Sequence, residues 1–91
     1  MPAAPNPSTG SQATAVGTDI VPIIPNDDTD LVTEARVIRC KPISGTAGTL
    51  RITTRQGVVR NTEIAVGGEL QLYVTRVHLS GTTATGLEAI I

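Results

Sequence analysis

The chain has 91 residues, 40% of them hydrophobic, and a formal net charge of -1 from seven basic and eight acidic side chains. That balance leaves no field to draw in a polyanion, so nucleic acid is not an expected partner. The one cysteine, Cys40, excludes an intrachain disulfide and suits synthesis in a reducing cytoplasm; no segment approaches the roughly 20 apolar residues of a membrane-spanning helix.

The first 25 residues, MPAAPNPSTGSQATAVGTDIVPIIP, hold five of the six prolines and many small polar side chains. Such a stretch buries too little apolar surface to offset its ordering entropy, so residues 1–27 read as an extended arm rather than a domain. Its apolar group, Ile20, Val21, Pro22, Ile23, Ile24 and Pro25, is the natural anchor to a binding surface. The start of the arm lacks the basic-then-apolar pattern of a secretory signal, so neither secretion nor membrane insertion is expected.

NDDTD at 26–30 reads as a boundary turn, because Asn and Asp side chains bond nearby backbone amides. Its three carboxylates lack the glycine and distal glutamate of an EF-hand loop, and no metal is expected there. The β domain is then predicted over 28–91. VTEAR at 32–36 has helical composition but is too short to stand as a helix unaided.

Short runs with period near two follow. ARVIRC at 35–40, Leu50 and Ile52 alternating with Arg51 and Thr53, and Val58–Val59 after Gly57 all predict strands. The longest run, 69–79, places Leu70, Leu72 and Val74 on one face and Tyr73, Val77 and Leu79 on the other. Apolar residues on both faces predict either a strand covered on two sides or a bulge near Thr75 and Arg76 that switches the inward face. The final run, 87–91, ends in Ile90 and Ile91, an apolar terminus that pairing into the sheet or an interface would cover. Glycines divide the strands at short intervals, the punctuation of a small single-domain β-sandwich or barrel. Its core has no Phe or Trp, and Tyr73 is the one aromatic, so subunit contacts are an expected source of further stabilisation.

No catalytic constellation is legible. His78 lies inside the longest strand beside Val77 and Leu79 with no orienting partner at a recognisable spacing, and Cys40 has none either. The glycine-bearing loops precede no helix, so they are turns and not phosphate cradles; no cofactor is expected. The arginines are dispersed with scarcely any aromatic interleaving, which suits a solvated face or salt bridges better than base stacking.

Five segments in order carry a resemblance: DTDL at 28–31, ARVIR at 35–39, GTLRIT at 48–53, VGGELQLYVTRV at 66–77 and SGTTATGLEAII at 80–91. Together they resemble the head spike base family of gene transfer agents and related tailed phages, and GTTATG, Gly81, Thr82, Thr83, Ala84, Thr85 and Gly86, is the most specific piece. The resemblance spans about 28–91 and leaves the arm outside it; the ending Ile90-Ile91 departs from the family pattern. It implies a non-enzymatic β-rich virion subunit, made in the bacterial host cytoplasm, that sits on the capsid surface at the fivefold vertices and carries a spike or fibre. The partners implied are the major capsid protein, the spike or fibre protein and further copies of the chain, as a pentamer or else a trimer. A decoration protein at local threefold positions is the nearest alternative; a carbohydrate-binding tail or fibre module is a further one, opposed by the scarcity of aromatic rings. The arm anchor, the 81–86 turn, and Tyr73, Ile90 and Ile91 are the expected contact residues.

Overall fold

The computed structural model describes residues 16–91; the first 15 residues of the expected arm lie outside the described residues. The all-β expectation is met by a single six-stranded antiparallel sheet in the order β1-β6-β2-β5-β3-β4. The strands are β1 (Ile20–Pro22), β2 (Ala35–Cys40), β3 (Gly48–Thr54), β4 (Val59–Ile64), β5 (Glu69–Val77) and β6 (Leu87–Ile90). VTEAR contains no helix: its last two residues open β2.

β3 and β6 follow the sequence pattern directly, and β2 does so from Val37 onward. Ala35, Ile38 and Cys40 of β2, Leu50 and Ile52 of β3, and Leu87 and Ala89 of β6 are all buried and meet in one core. β3 and β4 form a hairpin closed by the Thr54 N–H donating to the Val58 carbonyl; in the loop between them, Arg55-Gln56-Gly57, Gly57 stands at φ 81, so glycine takes the left-handed position that such a three-residue loop needs.

β5 is the irregular strand. Against β2, the pairs Val37↔Gln71 and Ala35↔Val74 span two steps on β2 but three on β5. Against β3, Thr53↔Arg76 and Thr54↔Val74 span one step on β3 but two on β5, which leaves Thr75 as the extra residue. Bulges of this kind re-aim the side chains that follow, and here Val74 and Val77 both enter the same core. Of the two arrangements open from sequence, the bulge near Thr75 is the one adopted. The expected pair of faces is corrected accordingly: Leu70 packs partly buried against the core, but Leu72 is 39% and Leu79 61% exposed.

Beyond Val77 the chain continues beside the first half of β3. His78 N–H donates to the Arg51 carbonyl, Thr83 and Ala84 N–H groups to the Thr49 carbonyl, and Thr85 bridges to Thr46. Gly86, at φ 69, then reverses the chain into β6. A Cβ there would lie 2.7 Å from Gly45 Cα, so the position needs glycine for both its backbone angle and its space.

Candidate functional site

Three surface features and one internal clip collect the residues that sequence reasoning singled out. The first is the segment leading into and out of β1. Ile20, Val21 and Pro22 pair with Ile90, Ala89 and Glu88 of β6. Ile23, 8% exposed, enters the core, and its N–H donates to the Leu87 carbonyl. Ile24 points the other way and is 82% exposed, while Pro25 is partly buried. The anchor group is thus divided between the chain's own sheet and solvent. Beside it lies an apolar groove of about 420 Å³ lined by Val21, Ile24, Leu31, Val32 and Ile91 among others.

The C-terminal isoleucines are held in the same region. Ile91 N–H donates to the Asp19 carbonyl at 3.0 Å, and the Ile91 carbonyl accepts from the Thr18 hydroxyl at 3.0 Å. Ile90 and Ile91 are both half-buried, with Ile91 packed against the core. Pairing into the sheet covers the apolar end that the sequence left exposed.

The second feature is a cleft bordered by Thr18, Glu34, Arg55 and Tyr73. Arg55 stacks over the Tyr73 ring at 3.6 Å from its centroid and forks onto both carboxylate oxygens of Glu34. The guanidinium hydrogen bonds hold the Glu34 carboxyl below its ordinary range, and the carboxylate raises Arg55 in return. Arg55 therefore occupies a face of the one aromatic ring.

The third is the GTTATG turn. Thr82 and Thr83 bond β3 within the chain: the Arg51 N–H donates to Thr82 Oγ1 at 3.0 Å and the Thr49 N–H to Thr83 Oγ1 at 2.8 Å, with the Thr49 and Thr83 hydroxyls 2.9 Å apart. Where β5 has ended, threonine hydroxyls stand in for the carbonyls of a neighbouring strand. Ala84 is buried in the core. Sequence reasoning saw the stiff hydroxyl-rich turn but not its partner, since nothing in the residue pattern aligns 82–83 with 49–51.

The internal clip joins the NDDTD boundary to the end of β5 and the residues just after it. Asp27 accepts from Ser80 N–H at 2.9 Å and Ser80 Oγ at 2.8 Å, and these bonds, aided by His78, hold its carboxyl below the ordinary value. His78 Nε2 lies 2.8 Å from Thr53 Oγ1, and its Nδ1 lies 3.9 Å from Asp27. Arg76 bonds Asp30 Oδ1 at 2.8 Å and the Asp27 carbonyl at 2.9 Å. Carboxylate, imidazole and hydroxyl thus stand in sequence, but none of the three lines the clefts described above, and their partners tie one loop to one strand. Sequence reasoning missed this clip because Asp27, Thr53 and His78 are far apart in the chain.

Cys40 is fully buried, its thiol directed at the Thr85 carbonyl at 3.4 Å. Among the described residues, no group of three His, Cys, Asp or Glu side chains converges on one point, and no helix is long and apolar enough to cross a membrane. Arg39, Arg55 and Arg76 pair with Glu88, Glu34 and Asp30 of their own chain. The chemistry on offer is that of a contact surface: exposed aliphatics, backbone edges and a fixed hydroxyl turn.

No protein-family model and no curated protein matches this sequence. Among solved structures, the chain is similar to a chain from the capsid of a native gene transfer agent particle, computed with C5 symmetry. The two are 29% identical, with 82% of this chain and 83% of the other covered and a TM-score of 0.72.

Proposed function

We propose that this chain is a structural protein of a gene transfer agent or tailed-phage virion, located on the capsid and without enzymatic activity. The likeness to the gene transfer agent capsid chain carries the reading, because it extends over most of both chains at a substantial sequence identity. Within that class, the chain serves as the base of a head spike at the fivefold vertices, with five copies in a ring contacting the major capsid protein and anchoring a fibre. The resemblance of 28–91 to the spike base family, GTTATG above all, supports this finer assignment.

The expected arm, residues 1–27, supplies the capsid contact through the part of it that lies outside β1 and the core. Its support is physical: Ile24, 82% exposed, stands beside an apolar groove where a partner would cover both. The 81–86 turn, Tyr73 and the Ile90-Ile91 end border further contacts. A carbohydrate-binding role is disfavoured, since Arg55 already stacks on the one aromatic ring.

Cryo-electron microscopy of particles with and without the chain tests the assignment. Density at fivefold vertices that disappears in particles lacking the chain is the expected result. Density at local threefold positions makes it a decoration protein instead, and purified particles with no density for it overturn the virion reading.

A further inference from the structure

The two edges of the sheet are chemically unequal. At β1, Asp19 and Ile23 direct their backbone toward β6, as shown by Ile91 N–H donating to the Asp19 carbonyl and Ile23 N–H to the Leu87 carbonyl. Antiparallel alternation then turns Ile20 and Pro22 outward. The Ile20 N–H is taken by Asp19 Oδ1 at 2.8 Å, and proline has no N–H to give. This edge presents carbonyls without a free donor, a common means of blocking strand addition.

β4 has no such protection. Thr54 N–H donates to the Val58 carbonyl, and the register runs without a break from Thr53↔Val59 to Gly48↔Ile64. Arg60, Thr62 and Ile64 therefore turn their backbone toward β3, and Val59, Asn61 and Glu63 turn theirs outward. Among the described residues no strand lies beside their N–H and carbonyl groups, for β4 is the last strand of the sheet. The strand contains neither proline nor bulge.

We infer that β4 is a homomeric contact, in which a second copy of this chain adds its own β4 antiparallel across a twofold axis at Asn61. Outward groups must meet outward groups, so the registers open to the pair are few. Centred on Asn61, Val59 faces the partner's Glu63 and Asn61 faces the partner's Asn61, so every outward N–H of the three residues finds a carbonyl. Arg60 then faces the partner's Thr62, and no like charges meet. Sliding one way sets Arg60 opposite the partner's Arg60, which is repulsive. Sliding the other way extends the ladder to Ala65, whose carbonyl already accepts from Gly68 N–H. The strand is self-complementary in one register, and that favours a second copy over an unrelated strand as its occupant. An isologous pair closes at two copies, whereas the ring proposed above needs a heterologous contact. The inference therefore stands apart from the vertex assignment and concerns the free chain.

Native mass spectrometry and light scattering of the full 91-residue chain, with three variants, test it. The unmodified chain is expected to be a dimer. Asn61→Pro removes an outward N–H without touching a bond to β3, and is expected to raise the dimer Kd at least about tenfold with an unchanged circular dichroism spectrum. Val59→Glu, placed against the partner's Glu63 twice by symmetry, is expected to raise Kd by about 2- to 30-fold, and Val59→Lys to lower it. A monomer at about 100 μM, or an oligomer that folded Asn61→Pro leaves intact, overturns the inference. Should Asn61→Pro fail to fold, the two Val59 variants decide, and equal shifts of Kd in the same direction overturn it.

Discussion

The Thr83 side chain holds β3 through two bonds, one to the Thr49 amide and one to the Thr49 hydroxyl. Each net hydrogen bond of this kind contributes about 0.5–1.5 kcal/mol. Thr83→Val is therefore expected to lower stability by about 1–3 kcal/mol in urea unfolding, whereas Thr83→Ser retains most of it. Gly86→Ala combines a left-handed backbone angle with a clash against Gly45 and should be more damaging than Gly57→Ala, where the space around the residue is open. Asp27 and Glu34 set the acid response. Both carboxyls titrate lower in the folded chain than their ordinary values of 3.8 and 4.5, so their contribution is present above those values and is lost as pH falls through the depressed folded ones. The urea midpoint is expected to fall below about pH 4.5, and Asp27→Asn should flatten that decline.

At the scale of the element, β5 shows why alternation by itself misleads. A period of two assigns Leu72 to the inward face with Leu70 and Val74, but the two register shifts leave it 39% exposed and bring Val77 inward. Leu72→Asp is thus expected to leave a folded, soluble protein, while Val74→Asp, which buries an unpaired charge, prevents folding. Leu50, fully buried at the centre of β3, gives the reference cavity: Leu50→Ala should cost about 2–5 kcal/mol by chemical denaturation. Strands β2, β3 and β6 were legible because their burial alternates without interruption over most of their length. β1 was not, since IVP lies in a proline-bearing stretch and becomes a strand through pairing with β6 across most of the chain's length.

For the whole molecule, the placement of β1 divides the proline-rich segment. Ile20–Pro22 and Ile23 belong to the sheet and core, so a truncation through residue 25 should remove an edge strand and a core side chain together. From its proline-rich, weakly apolar composition, the stretch 1–15 is expected to be removable with the unfolding midpoint unchanged. Under the proposed function the same truncation weakens capture by capsids, and a truncated chain that binds particles at full occupancy would remove that part of the arm from the mechanism. Pull-down on purified capsids, read beside the urea curve, separates the two effects.

The sequence by itself determined the class of structure: β-branched runs of period two, glycine punctuation and a ring-poor core specify a small β domain, and near-neutral charge argues against nucleic acid. Those are local properties, carried by neighbouring residues. The tertiary structure decided what depends on residues far apart in the chain: the bulges that reset the inward face of β5, the hydroxyls of Thr82 and Thr83 aligned on β3, the Asp27 clip to Ser80 and His78, and the contrast between a donor-poor edge at β1 and an open one at β4. Which strands lie at the edges follows from the order of the sheet, and that order is fixed by where the buried faces find one another.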